Sequence, residues 1–181
     1  MGTLAIFKIG VTFGNNIFVE VGYSGKIVRS TDNGTTLENA TSPTSNSLLG
    51  VTFANNTFVA VGLSGTIVRS TDNGSSFDNV TSPTENNLMG VGFGNNTFVA
   101  VGYSGNIVRS TDNGSSFDNV TSGTGMLLWA VTFGNNTFVA VGGSGTQVNI
   151  VRSTDNGTTW DNVTSGTNEN LFGAGFANNT F

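Results

Sequence analysis

An eight-residue motif recurs in this chain at nearly constant intervals, and it constrains the fold more than any other feature of the sequence. Each copy reads Ser-Thr-Asp-Asn-Gly, then two small hydroxyl residues, then one large apolar residue. The copies, called corner motifs below, span 30–37, 70–77, 110–117 and 153–160. The first three begin 40 residues apart, and the fourth follows 43 residues after the third. A period of this size indicates an array of similar supersecondary units.

The Asn-Gly pair inside each corner motif predicts a tight turn. A type I′ turn needs positive φ at both central residues, and Asn followed by Gly meets that need. The Asp before the pair can accept hydrogen bonds from the N–H groups that follow it, and the large apolar residue can fold back over the turn. We therefore interpret the motif as a structural corner between two strands. The residues assigned to it are Asp32, Gly34, Asp72, Gly74, Asp112, Gly114, Asp155, Gly157 and Trp160.

Each unit contains four short β-prone stretches separated by residues typical of turns. In the second unit we predict strands at 48–53, 57–62, 66–70 and 76–80, with Asn-Asn, Ser-Gly and Asp-Asn-Gly between them. A four-stranded antiparallel meander that repeats about every 40 residues is typical of a β-propeller blade. The nearly continuous apolar run 58–61 fits a blade that packs on both faces. A solenoid is the main alternative, although its coils usually repeat at shorter periods.

The predicted fold class is therefore all-β, a β-propeller in a single repeat domain that spans residues 1–181. Its units are 11–50, 51–90, 91–130 and 131–173, with a partial unit at 174–181. We predict a first strand at 5–13, and a further first strand at 171–176 that begins a fifth unit. Four units and a stub make an incomplete ring. We expect either a piece of a longer propeller or a chain that completes its ring as a homo-oligomer.

The corner motif resembles the Asp-box (BNR-type) motif, Ser-x-Asp-x-Gly-x-x-Trp, which the fourth copy matches in full. The second and third copies have Phe in place of Trp, and the first has Leu. The whole unit is similar to the photosystem II assembly-factor-like propellers and, more distantly, to sialidase-like ones. The first resemblance implies a scaffold that binds other proteins. Sialidase chemistry would require an arginine cluster, a tyrosine nucleophile and acids around the channel, and the sequence offers no matching set.

Composition argues against several classes of function. The chain contains no histidine and no cysteine, which removes the commonest acid–base catalyst and every thiolate ligand or nucleophile. A formal charge of −5, with 9% charged residues, argues against nucleic acid as a partner. The Asp-Asn-Gly segments are too short for a calcium loop, which needs six to eight oxygen ligands. We therefore expect no catalytic residues, no metal and no cofactor.

Two features bear on location. No apolar run approaches the ~20 residues of a membrane span. The first ten residues lack a charged start and make a poor signal peptide. We expect a cytoplasmic protein, or an extracellular or periplasmic one if a leader precedes this sequence.

The units differ from one another mainly in two sets of turns. In a propeller meander the first-to-second and third-to-fourth turns share one end of the blade, here called the corner end, and they are nearly invariant. The second-to-third turns and the connections between blades share the other end, here called the variable end. Exposed aromatic residues on loops at one rim are typical of a binding face, although drift in tolerant loops would also produce such variation. The candidate binding residues are Tyr23, Lys26, Leu63, Tyr103, Asn106, Trp129, Gln147 and Asn149.

Three functions remain open from the sequence. The first is a non-enzymatic scaffold that binds a protein partner through its variable end. The second is a multivalent carbohydrate-binding propeller, and the third is a fragment of a glycosidase-type enzyme whose catalytic parts lie elsewhere. The repeated arginines of the third strand are either structural or a ring that binds anions, and they are Arg29, Arg69, Arg109 and Arg152.

Overall fold

The computed structural model describes residues 8–145 and 147–181, which form four antiparallel sheets of four strands in chain order. The first sheet contains β1 (Lys8–Gly14), β2 (Ile17–Gly22), β3 (Ile27–Ser30) and β4 (Glu38–Asn39). The second contains β5 (Leu48–Ala54), β6 (Thr57–Gly62), β7 (Ile67–Ser70) and β8 (Asp78–Val80). The third contains β9 (Leu88–Gly94), β10 (Thr97–Gly102), β11 (Ile107–Ser110) and β12 (Asp118–Val120). The fourth contains β13 (Leu128–Gly134), β14 (Thr137–Ser144), β15 (Gln147–Ser153) and β16 (Asp161–Val163).

These sheets confirm the predicted all-β fold of four-stranded propeller blades. The predicted strands of the second unit begin within two residues of β5 to β8. Short 3-10 turns, at Tyr23–Gly25, Leu63–Gly65 and Tyr103–Gly105, join the second and third strands of the first three sheets. The predicted strand at 5–13 is present as β1 from Lys8 onward, and its earlier residues lie outside the described part of the chain.

The strand β6 shows how one blade packs on two neighbours. All six of its residues are buried. Phe58 and Ala60 lie in an apolar cluster with the first sheet, whereas Val59 and Val61 lie in a cluster with the third sheet. Because successive side chains of a strand point to opposite faces, a strand buried on both faces needs an unbroken apolar run. The run 58–61 therefore reflects two interfaces, as predicted.

The first strands of neighbouring sheets lie against each other and form the inner side of the stack. β1 contacts β5, β5 contacts β9, and β9 contacts β13. The approach is close, since a Cβ atom added to Gly50 would lie 3.2 Å from the Cα atom of Gly90. Within the described residues the four sheets form an open arc and do not close into a ring.

The fourth unit departs from the other three at its second-to-third turn. Three extra residues lengthen the hairpin, so that Gly142 pairs with Asn149 and Ser144 pairs with Gln147. Ladder pairing replaces the 3-10 turn of the first three sheets. The effect of the insertion is to extend one blade at its variable end.

The segment 171–181 does not form the strand predicted at 171–176, although it lies where a first strand would lie. The ring of Phe176 lies over Gly134, and a Cβ atom added to Gly134 would be 2.1 Å from that ring. The ring of Phe133 lies over Gly94 in the same way. Phe172 contacts Trp129 with ring centroids 5.5 Å apart. The segment has inter-blade contacts of the expected kind, but its strand pairing among the described residues is limited to an isolated bridge between Ala177 and Thr180.

We expect Gly102→Ala to destabilise the fold by about 1–3 kcal/mol, because overpacking a dense site costs that much. A Cβ atom at this position would lie 2.0 Å from the carbonyl oxygen of Asn87, which belongs to the backbone and cannot rotate away. Urea denaturation followed by circular dichroism measures the change. Gly125→Ala is the matched control, since its Cβ atom would meet nothing within 4 Å. Equal midpoints for the two variants would contradict this account.

Candidate functional site

The carboxylate of each corner motif is used within its own turn. In the third motif, Oδ1 of Asp112 accepts hydrogen bonds from the N–H groups of Ser115 and Ser116, both at 3.0 Å, and Oδ2 accepts one from the Ser116 hydroxyl at 2.6 Å. The turn residues Asn113 and Gly114 have φ of 61° and 78°, as a type I′ turn requires. The Asp side chain thus satisfies N–H groups that no strand partner could reach.

These hydrogen bonds shift the ionisation of the corner carboxylates. Desolvation raises the pKa of Asp112, but bonds from the Ser116 hydroxyl and N–H and from Ser110 outweigh it and lower the pKa to about 2. For Asp155 the Thr159 hydroxyl and N–H are the leading causes, and its pKa also falls to about 2. A carboxylate that accepts several hydrogen bonds is stabilised in its charged form. Such groups are poor general acids or bases near neutral pH.

The last residue of each corner motif folds back, as the sequence predicted, and enters an inter-blade core. Phe77, Phe117 and Trp160 are buried, each in a cluster with the preceding sheet. The Trp160 indole N–H also donates to the Gly157 carbonyl at 3.2 Å. Leu37, at the same position of the first motif, remains 45% exposed. Trp160 is therefore a core residue and is not placed to stack on a ligand.

The repeated arginines join each sheet to the corner motif of the next one. Arg69 Nε donates to the Asn113 carbonyl at 2.8 Å, and Arg109 Nε donates to the Asn156 carbonyl at 2.7 Å. Arg29 reaches the same acceptor of the second motif through Nη1, since its Nε pairs with Glu38 at 2.7 Å. The structural alternative thus holds for these three residues. The fourth, Arg152, is exposed.

A second contact accompanies each arginine. A valine of the second strand lies against the corner glycine of the next sheet, where an added Cβ atom would be 2.9 to 3.2 Å from the valine Cγ2. The pairs are Val19 with Gly74, Val59 with Gly114, and Val99 with Gly157. Glycine is required there twice over, because φ is positive and the neighbouring blade leaves no room. We call this arginine–valine pair, seated on a corner motif, the corner contact.

The asparagine turns at the corner end bond to one another across the blades. Asn15 donates to Asn56 at 3.1 Å, and Asn55 donates to Asn96 at 3.3 Å. Asn113 in turn donates to the Thr57 hydroxyl of the preceding sheet at 2.7 Å. Much of the hydrogen-bonding capacity at the corner end is therefore used inside the protein.

The variable end presents exposed aromatic side chains on tight turns. Tyr23 and Tyr103 begin their 3-10 turns and are 55% and 43% exposed, whereas Leu63 is half-buried at the same position. The next residues, Ser24 and Ser104, have φ of 54° and 55°, so each turn has a defined shape. The structure thus places the predicted tyrosines at the variable end of the first and third blades.

Two more predicted residues lie close to these turns. Lys26 donates to Asn39 Oδ1 at 3.3 Å, which ties its ammonium group to its own blade. Asn106 lines an open cleft of about 520 Å³ together with Ser104, Thr84 and Thr124. The cleft is shallow, and it lies between the 3-10 turn that begins at Tyr103 and the connection 121–124 that follows β12.

The fourth blade gathers polar atoms that have no partner among the described residues. Trp129 Nε1, Asn149 Nδ2 and Asn170 Oδ1 are buried without a hydrogen bond. Asn149 pairs with Gly142, and Asn170 Oδ1 would lie 2.7 Å from a Cβ atom on Gly143, so both belong to the lengthened hairpin. Gln147 is exposed at its tip.

Asn170 was not among the residues predicted for a site, although the repeat contained the signal. Its equivalents, Ser47 and Asn87, accept hydrogen bonds from the turn N–H groups of Ser24 and Ser64 at 3.3 and 2.8 Å. The lengthened hairpin removes that donor from Asn170. The signal is the residue that precedes the first strand of each unit. In the fourth unit this residue faces a hairpin that the three-residue insertion has lengthened, which singles out Asn170.

Two absences concern the described part of the chain. No group of three or more acidic residues is arranged to hold a metal ion among residues 8–145 and 147–181. Across the same residues, no helix has the length and apolar character needed to cross a membrane.

The sheet topology and the corner contacts define the class of the fold: stacked β-propeller blades. No protein-family model and no curated protein sequence matches the chain. Among solved structures it is similar to YCF48 bound to D1 peptide, with a TM-score of 0.71 and 18% identity over 93% of this chain and 57% of that one. It is also similar to YCF48 from Cyanidioschyzon merolae, with a TM-score of 0.70 and 17% identity over 98% and 62%.

A designed protein has the same fold. The computationally designed Ika4 protein matches with a TM-score of 0.64 and 16% identity over 83% of this chain and 93% of that one. At these identities the likeness establishes the propeller fold alone. The chain spans about 57% and 62% of the two YCF48 chains, so it contains fewer residues than they do.

We expect Asp112→Ala to lower the free energy of unfolding by about 1–3 kcal/mol, because two backbone N–H groups lose their acceptor. Thermal and urea denaturation measure the change. Asp118→Ala, on the exposed outer strand of the same blade, is the control and should stay within about 0.5 kcal/mol of the parent. An unchanged midpoint for Asp112→Ala would show that the carboxylate does not stabilise the corner.

We expect stability to fall in acid over a defined window. The pKa values of Asp112 and Asp155 are depressed from 3.8 to about 2 in the folded chain, so their contribution is complete above pH 3.8 and is lost as pH falls through about 2. Urea midpoints at a series of pH values between these limits measure the loss. The double variant Asp112→Ala/Asp155→Ala should show a shallower fall, and a parallel fall would assign the loss to other carboxylates.

Proposed function

We propose that this chain is a non-enzymatic propeller scaffold that binds a protein partner through the variable end of its blades. The observation that carries the proposal is the difference between the two ends. Most asparagine side chains at the corner end bond across the blades, with Asn113 Oδ1 and Asn156 Oδ1 left unpaired among the described residues, whereas the variable end exposes Tyr23 and Tyr103. Tyrosine supplies a large contact area at low entropic cost and is enriched among residues that dominate binding energy.

The fourth blade supplies the polar part of the proposed surface. Trp129 and Asn149 offer N–H donors and Asn170 offers an oxygen acceptor, all without partners among the described residues. A peptide backbone has one acceptor and one donor per residue, and it could satisfy groups of both kinds once a local rearrangement of the hairpin exposes these buried atoms. We therefore expect an extended peptide to lie across the variable end, with its side chains against the tyrosines.

The structural likeness supports a protein partner at the level of the fold. A YCF48 chain with the same fold has been solved with a D1 peptide bound. For the present chain we propose a peptide segment of a partner protein, of a sequence to be found by selection. Whether the chain is cytoplasmic or lies beyond a membrane stays a prediction. Knowledge of its location would narrow the set of candidate partners.

We expect peptides selected from a displayed random library to bind the parent chain and to lose at least about tenfold in affinity to Tyr23→Ala/Tyr103→Ala. Isothermal titration measures the binding. The matched control is Asn55→Gly/Asn95→Gly at the corner end, where Gly suits the positive φ of both positions and affinity should not change.

Three other outcomes would overturn parts of the proposal. Equal binding by the tyrosine variant and weak binding by the asparagine variant would place the site at the corner end. A library that yields no binders, together with positive wells on a glycan array, would favour the carbohydrate-binding alternative. Hydrolysis of glycosides by the purified chain would favour the enzyme alternative.

A further inference from the structure

The fourth sheet carries the residues of a corner contact but has no corner motif seated on it among the described residues. Val139 and Arg152 occupy the positions of Val99 and Arg109, which hold the corner glycine Gly157 and the Asn156 carbonyl. Arg152 is exposed, whereas Arg109 is half-buried by its own contact. The guanidinium group therefore faces the place that the three internal interfaces fill with a carbonyl oxygen.

The surface around Arg152 has the apolar character of an inter-blade interface. A cleft of about 500 Å³ lies there between Val139, Val141, Ile150 and Val163 of the sheet and the segment 171–181, which keeps Val139 and Val141 buried. On the second sheet the equivalents of the first three, Val59, Val61 and Ile67, are fully buried in the cluster shared with the third sheet. This face of the fourth sheet is thus apolar at the same positions as the faces that are buried in the three inter-blade interfaces.

The first sheet presents the complementary half. Residues 31–37 of its corner motif are all exposed, and a Cβ atom added to Gly34 would meet nothing within 4 Å. The other corner glycines each lie within 3.2 Å of a valine in that test. Leu37, which occupies the position of the buried Phe77, is 45% exposed. One end of the arc therefore offers a corner motif without a contact, and the other offers a contact without a corner motif.

We propose that a second copy of this chain docks its first sheet on the open face of the fourth sheet. Arg152 of one copy donates to the Asn33 carbonyl of the next, and Val139 lies over Gly34. The interface joins two different surfaces, so each copy has one of each, and association continues until the ring closes or a filament forms. The proposal does not depend on the proposed function, because it uses the two faces of the arc and not the variable end.

The segment 171–176 covers the inner part of the receiving face and must give way to β1 of the second copy. It is attached to the sheet by a backbone bond from Leu171 to Gly142 at 3.4 Å and by the side chains of Phe172 and Phe176. By comparison, β1 pairs with β2 at six residue positions. Docking leaves the pairing of β1 with β2 intact and breaks only the few contacts of 171–176. We therefore expect β1 of the second copy to displace 171–176 from the inner side of the fourth sheet. Docking therefore separates Phe172 from Trp129, and tryptophan fluorescence should change with association.

Two residues of the first sheet make this interface weaker than the internal ones. Leu37 is smaller than the aromatic side chains at its position, and Glu20 stands where the other sheets have Ala60, Ala100 and Ala140. Less apolar area and one carboxylate enter the contact, which opposes association. We therefore expect a reversible equilibrium that depends on protein concentration.

Sedimentation velocity of the full chain over a range of concentrations tests the proposal. We expect the parent to form larger species as concentration rises, and Leu37→Phe, which restores the aromatic residue, to associate more tightly. Leu37→Asp and Arg152→Ala should each weaken association at least about tenfold. Both changed side chains are exposed, and circular dichroism checks that the variants fold. Lys26→Ala, at the variable end, is the control and should behave as the parent.

A mixing experiment tests the direction of docking. Leu37→Asp disrupts the docking surface of the first sheet and leaves that of the fourth sheet intact. Arg152→Ala disrupts the docking surface of the fourth sheet and leaves that of the first sheet intact. At concentrations where neither variant associates alone, a mixture can still form one intact interface and should give dimers and nothing larger. A parent that remains monomeric at every concentration would overturn the proposal, as would variants that associate like the parent or a mixture that forms no dimer.

Discussion

The stacking of one sheet on the next is the interaction on which the rest of this structure depends. A single four-stranded blade exposes apolar residues on both faces, so it gains stability only through its neighbours. The corner contact makes that stacking specific: valine fills the space over a glycine, and arginine donates to a carbonyl that the turn has left open. Because both groups sit at fixed positions of a repeat, each added blade is aligned in the same way.

The need of each blade to stack on its neighbours also explains why residues at the two ends of the blades have different roles. At the corner end, Asp112 and its equivalents satisfy the turn, and asparagines such as Asn55 bond to the next blade, so a change there affects stability. At the variable end the turns need only their backbone shape, which leaves residues such as Tyr103 free to differ between blades. A binding surface can vary at that end without disturbing the stack.

Much of the architecture could be read from the repeat itself. The period, the Asn-Gly turns and the double-faced apolar run 58–61 predicted the strands, their antiparallel order and the end at which each turn lies. These are local properties, because type I′ turns and alternating side-chain directions depend on a few neighbouring residues. The same reasoning misjudged 171–176, since pairing as a strand needs a partner strand and cannot be decided by local composition.

The stack of four-stranded blades with structural corners follows from the amino-acid sequence alone, because every unit repeats the same turn chemistry and the same alternation. The role of the arginines becomes visible in the folded chain and not before, since their acceptors lie in the next blade, 44 to 47 residues away along the chain. The folded chain also shows that Trp160 is a core residue and that Asn170 Oδ1 has no partner within the described part of the chain. Such facts depend on which residues of different units meet, and a repeat pattern does not contain that information.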